Sequence, residues 1–194
     1  MGKAERRQQI LTVARDVFAR RGYHAAKIDD IVAAAGIARG TFYLYFEDKR
    51  AIFEEIVDRT MARLGMVIER VDVASPKSVA EQVRDQIRRI FHILLEDRAT
   101  TKILLSDALG VDPAFDRKLQ SFYDEMAKQL EQSLRDGQAL GIVRQGDAHL
   151  MSWLTMGALK EALSQIVQRG AEYDEDTLVE GTFAYFMGGY LRVA

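Results

Sequence analysis

The sequence predicts an all-α fold of about nine helices, and three observations carry that expectation. Apolar residues recur at three- and four-residue spacing along most of the chain. No run alternates apolar and polar residues in the manner of a strand. Only 2 prolines, Pro76 and Pro113, interrupt 194 residues, so long helices are permitted. Apolar residues make up 48% and charged residues 29%, the balance of a globular chain with a sizeable core.

The first helix is expected over Ala4 to Arg21, with Ile10, Val13, Ala14, Val17 and Phe18 on one stripe and Gly22 as its stop. Two short helices follow, about Ile28 to Ala35 and Arg39 to Tyr45, parted at Gly36. Asp48 caps a long helix to about Val71. Ser75-Pro76 opens the next, to about Glu96. Thr100 to Leu109 is shorter, and a helix begun at Asp112-Pro113 runs to Asp136 with Gly137 closing it. Asp147 caps a helix to about Arg169, and the last spans about Asp174 to Arg192. Neither repeats nor low-complexity tracts appear.

Charge divides the chain. Residues 1–50 hold ten Lys or Arg against six Asp or Glu, and residues 51–194 hold seventeen against twenty-three. A segment of +4 on a body of −6 is the pattern of a nucleic-acid-binding head on a separate body. The absence of cysteine excludes disulfides, thiolate metal sites and cysteine nucleophiles. The longest apolar stretch, Ile31 to Ala38, is far short of the roughly 20 residues that span a bilayer, and no leader pattern opens the chain. The expected location is the cytoplasm.

Lys27 to Phe46, KIDDIVAAAGIARGTFYLYF, reads as a helix-turn-helix. Gly36 stands at the tight turn, and Ala33 and Ala34 are small enough to let the second helix approach. Ile28, Ile31, Val32, Ile37 and Phe42 can face inward. Arg39, Gly40, Thr41, Tyr43 and Tyr45 then face outward as groups that reach phosphates and base edges in a major groove. The competing reading is an ordinary helix pair with an aromatic core. It must bury Phe42, Tyr43, Tyr45 and Phe46 on about two turns, which leaves that helix no solvent face.

These residues resemble the TetR family of bacterial regulators. The resemblance lies in Phe18, Gly22 and Tyr23, then Ile31 with Ala34-Ala35-Gly36-Ile37, then Arg39-Gly40-Thr41-Phe42-Tyr43, Tyr45-Phe46, and Lys49 with Ile52 and Phe53. It covers about the first 55 residues. It implies a DNA-binding domain over residues 1–47 and a helical effector-binding and dimerisation domain over 48–194, with 48–72 as a connecting helix. It implies a recognition helix at Arg39 through Tyr45, with Arg39, Gly40, Thr41, Tyr43 and Tyr45 contacting DNA and Lys49 holding a phosphate. Two positions depart from the family's habit. Lys27 stands where Ser or Thr commonly caps the second helix, and reads either as a phosphate contact or as a solvated charge. Ala38 stands where Ser is common, which removes one hydroxyl.

The resemblance further implies a homodimer on a palindromic operator in double-stranded DNA, most simply a repressor released by a small apolar effector, with activation as the alternative. His92, Tyr123, Met126 and Trp153 combine apolar bulk with polar or polarizable tips and are candidate effector contacts; each also reads as interior packing. Trp153, Gly157, Phe183, Phe186 and Tyr190 mix large and small residues on the last two helices and are candidates for the dimer interface; the alternative is the monomer's own core.

An enzyme is not expected, nor a cofactor or metal. A di-iron bundle needs Glu-x-x-His pairs, yet Arg21, Arg89 and Gly146 stand three residues before His24, His92 and His149. No HExxH, P-loop or GxSxG is present. Glu54, Glu55 and Asp58 read as a solvated acidic face. A DNA-architectural protein would explain the basic head but not the six helices behind it.

Overall fold

A computed structural model describes residues 2–106 and 110–189. Among them are α1 (Lys3–Arg21), α2 (Ile28–Ala35), α3 (Arg39–Tyr43), α4 (Lys49–Val67), α5 (Val79–Glu96), α6 (Arg98–Ser106), α7 (Pro113–Ala139), α8 (Ala148–Arg169) and α9 (Glu175–Gly189), and no strand. The all-α expectation holds. No helix among the described residues is long and apolar enough to cross a membrane.

Several boundaries shift for identifiable reasons. α5 starts at Val79 rather than beside Pro76, because Ser78 and Glu81 form a reciprocal capping box. The Ser78 N–H donates to Glu81 Oε2 at 2.8 Å, and the Glu81 N–H donates to Ser78 Oγ at 3.2 Å. α6 starts earlier than expected, since Asp97 Oδ1 accepts the Thr100 N–H at 3.1 Å and Oδ2 accepts its hydroxyl at 2.8 Å. The expected end of that helix, residues 107–109, lies outside the described residues. α4 ends at Val67, short of Val71, and α3 ends at Tyr43, short of Tyr45.

Gly137 does not close α7, which continues to Ala139. A Cβ at residue 137 would stand 2.5 Å from Val143 Cγ2, so glycine serves there to admit the returning chain. Asp147 caps α8 as expected, accepting the His149 and Leu150 N–H groups at 2.9 and 3.1 Å.

The chain divides into two units, Met1–Ala62 with Asp97–Leu119, and Arg63–Glu96 with Gln120–Ala194. In the first, α1 packs on α2 and α6 around Ile10, Ala14, Ile31, Ile52, Val57 and Ile103, all fully buried. An aromatic cluster centres on Phe53, whose ring lies 5.3 Å from Phe18, 4.5 Å from Tyr23 and 5.5 Å from Phe115. Ion pairs border it: Arg50 with Asp112 at 2.6 Å, Arg15 with Asp97 at 3.2 Å, and Lys118 with Glu54 and Asp58 at 3.1 and 2.6 Å. Glu54, Glu55 and Asp58 are therefore a paired face, not merely a solvated one.

In the second unit α5 packs along α9, burying Ile87, Phe91 and Leu94 with Val179, Phe183 and Phe186. Arg84 pairs with Glu180 at 2.9 Å, and its guanidinium lies 4.1 Å from the Phe183 ring centre. Leu134, Val143 and Ala148 form a smaller core beneath the turn from α7 into α8.

Phe53→Ala removes the ring shared by Phe18, Tyr23 and Phe115, and is expected to cost about 3–5 kcal/mol of unfolding free energy. Chemical denaturation followed by circular dichroism measures it.

Candidate nucleic-acid interface

α2 opens at Lys27, whose backbone N–H donates to Asp30 Oδ2 at 2.9 Å while the Lys27 side chain stays exposed. Asp30 Oδ1 also meets Arg21 Nη1 at 2.8 Å, tying α2 to the end of α1. The helix ends in a Schellman arrangement. Gly36 adopts φ 62° and ψ 39°, its N–H donates to the Ala33 carbonyl, and the Ile37 N–H donates to the Val32 carbonyl, both at 3.2 Å. Gln9 Nε2 reaches the Ala35 carbonyl at 3.3 Å.

The pattern of inward residues on α2 differs from expectation. Ala35 is buried, while Ala33 and Ala34 are exposed. The four aromatics divide by spacing. Phe42 and Phe46, four apart, are buried; Tyr43 is 47% exposed and Tyr45 is half-buried. Arg7 covers the Phe46 ring at 4.5 Å and pairs with Glu55. Hydrogen bonding to Arg7 holds the Glu55 carboxyl below its ordinary range.

The outer edge presents Arg39, Gly40 and Tyr43 in solvent, with Thr41 half-buried. Leu44, absent from the sequence reading, is 75% exposed between Tyr43 and Tyr45. Its signal was an apolar side chain off the Phe42–Phe46 stripe. Arg39 is not free: its Nη1 lies 2.5 Å from Asp29 Oδ1, and its guanidinium is 6.0 Å from the Tyr43 ring centre.

Lys49 has a different occupation from the phosphate contact expected of it. Its ammonium donates to the carbonyls of Tyr23 at 2.7 Å, Ala26 at 3.0 Å and His24 at 3.4 Å, and sits 4.2 Å from the Tyr23 ring centre. Its three donors are spent on the loop between α1 and α2, and burial pushes its pKa down.

The expected effector contacts do not gather in one cavity among the described residues. His92 stands in solvent facing Glu175 at 3.4 Å, and Trp153 is 57% exposed. Tyr123 and Met126 are half-buried one turn apart on α7, and burial raises the Tyr123 pKa. A cleft of about 200 Å³ in the second unit is lined instead by residues from Glu69 to Arg89, mostly charged or amide-bearing.

Two expected interface residues are corrected. Phe183 and Phe186 are buried within their own unit, because α9 turns them toward α5. Trp153 and Gly157 are exposed on α8 beside Leu150 and Leu154, and Tyr185 is exposed on α9. Tyr190 lies outside the described residues.

Two short helices joined by a left-handed glycine, with Arg39 and Tyr43 exposed on the second and Leu44 just past its end, form a helix-turn-helix, the motif by which many regulators enter a major groove. The family model described as bacterial regulatory proteins, tetR family, matches residues 10–56. The HTH-type transcriptional regulator YdgC of Bacillus subtilis is 34% identical over 102 residues, 51% of this chain and 52% of that protein. The chain thus aligns with about half of that relative's length. Two solved structures match nearly end to end. The fatty acid degradation regulator FadR from Bacillus halodurans superposes with a TM-score of 0.74 at 26% identity, covering 97% of this chain and 98% of that one. FadR from Bacillus subtilis in complex with stearoyl-CoA gives 0.71 at 24%, covering 94% and 98%. The N-terminal segment, residues 10–56, is thus that of the tetR family of bacterial regulatory proteins.

Lys49→Met removes three carbonyl partners from a partly buried loop and is expected to lower unfolding free energy by about 1 kcal/mol. The slope of log affinity for DNA against log salt should stay at its wild-type value. A slope shallower by about one would restore Lys49 as a phosphate contact.

Proposed function

We propose that this chain is a homodimeric transcriptional repressor that leaves a palindromic operator when a long-chain acyl-CoA binds its helical body. One observation carries the DNA-binding part. Burial of Phe42 and Phe46 turns Arg39, Tyr43 and Leu44 outward on one edge. Those groups suit base edges, phosphates and thymine methyls in a major groove. In this reading residues 1–47 bind DNA through Arg39, Gly40, Thr41, Tyr43 and Tyr45, with Lys27 at the flank.

Residues 48–194 bind effector and pair. The exposed α8 face of Leu150, Trp153, Leu154 and Gly157 supports a two-fold partner, since such a patch is self-complementary about an axis. Two-fold symmetry sets half-site centres about 34–36 Å apart. The likeness to FadR of Bacillus halodurans along nearly the whole chain, and to a FadR solved with stearoyl-CoA, supports the effector class. Tyr123 and Met126 are its proposed contacts. A hundredfold loss of operator affinity requires about 2.7 kcal/mol of coupling, all of it from the effector's different affinities for the two states. The protein acts in the cytoplasm, where both DNA and acyl-CoA are present.

Selection from a random DNA pool is expected to enrich one near-palindrome, and stearoyl-CoA is expected to release it. Tyr43→Ala should lose at least tenfold in affinity for that site while sedimenting as a dimer. An unenriched pool, or wild-type affinity in Tyr43→Ala, overturns the placement of α3. A monomer in sedimentation overturns the role of α8.

A further inference from the structure

The exposed pair between Asp29 and Arg39 places a carboxylate on the face that this reading turns toward a polyanion, which calls for a physical reason. Asp30, its neighbour, is spent on the Lys27 N–H and on Arg21. Asp29 is spent on Arg39 across the turn, with Oδ1 2.5 Å from Nη1 and both side chains well exposed. An exposed pair of this kind adds little to stability.

We propose that Asp29 is a positioning residue that makes Arg39 a reader of guanine rather than a phosphate clamp. The proposal rests on the placement of α3 in the major groove. A guanidinium carries five N–H donors in a planar fork. With Nη1 held by Asp29, the edge formed by Nε and Nη2 faces only the hydroxyl of Tyr43, which guanine O6 and N7 would replace as acceptors. The same carboxylate neutralises the cation, so a phosphate gains little by approaching the pair, whereas a neutral base edge keeps both of its hydrogen bonds. Asp29 therefore lowers affinity for DNA in general and raises discrimination at one base pair in each half-site. Tyr43 is a second neighbour of the guanidinium, its ring centre 6.0 Å away and its hydroxyl a hydrogen-bond partner.

The test compares wild type, Asp29→Asn, Arg39→Lys, Arg39→Ala and the Asp29→Asn/Arg39→Ala double variant. Each is titrated with the selected operator, with the operator carrying single guanine replacements, and with random-sequence duplex over a range of salt. Asp29→Asn is expected to bind random duplex more tightly, with a salt slope steeper by about one, as the freed Arg39 takes a phosphate. Its preference for one guanine should fall by about tenfold. Arg39→Lys should lose the same preference with the wild-type salt slope kept, because an ammonium cannot present the fork. Adding Asp29→Asn to Arg39→Ala should then leave the guanine preference where Arg39→Ala alone puts it. Thermal melts separate this from a folding role, which would weaken operator and random duplex together and leave their ratio unchanged; that result overturns the proposal. So does an Asp29→Asn variant with wild-type preference and slope. Failure of wild type itself to enrich an operator instead defeats the groove placement on which the proposal stands.

Discussion

Because Gly36 turns with φ 62° and returns the N–H groups at 36 and 37 to the end of α2, helix resumes only three residues later, at Arg39. The register of α3 follows from that turn. Starting there puts Phe42 and Phe46 inward together and Tyr43 and Leu44 outward. The requirement is conformational rather than spatial, since a Cβ at residue 36 would meet nothing within 4 Å. An L side chain in this region costs about 1–2 kcal/mol, to be set against a five-residue helix with little stability of its own. A small loss at the turn therefore bears on the outward edge of α3 before it bears on the rest of the fold.

The cations near this edge illustrate why charge alone is a poor guide to contact. Arg7 covers Phe46 and pairs with Glu55, Arg21 pairs with Asp30, and Lys49 closes the loop from Tyr23 to Ala26. Each had counted toward the basic excess of the N-terminal segment, yet each is engaged in assembling that segment. What assembly leaves outward is Lys27, Tyr43, Leu44 and the donors of Arg39 that Asp29 does not hold, and it is these that the proposed reading turns toward DNA.

Features with a local cause were legible in the sequence. Helical periodicity, Gly22 and Gly36 as stops, and Asp147 as a cap all act within one turn of the chain, and the structure keeps them. Ser78-Val-Ala-Glu81 was equally local, and the more conspicuous Ser75-Pro76 hid it. Features with a remote cause were not legible. Gly137 resembles a helix stop until Val143 is known to pack against its backbone. Phe183 and Phe186 resemble an exposed pairing surface until α5 is laid beside α9. Lys49 sits where a phosphate contact is expected, and only the folded loop supplies the three carbonyls that claim it.

The same distinction bears on how an effector could reach the DNA-binding edge. The simplest route would be a lever made of α4 alone, since residues 48–72 are the expected connecting helix. α4 does run from the first unit into the second, changing over after Ala62, but α7 also changes over, after Leu119. Within the first unit the opening of α7 is fastened to α4 by Phe115 on Phe53 and by Lys118 on Glu54 and Asp58, while Asp112, just before it, holds Arg50. The first half of α4 cannot tilt without carrying this segment or breaking those contacts. Within the first unit, then, the start of α7 and the first half of α4 behave as one piece, held by an aromatic contact and two ion pairs.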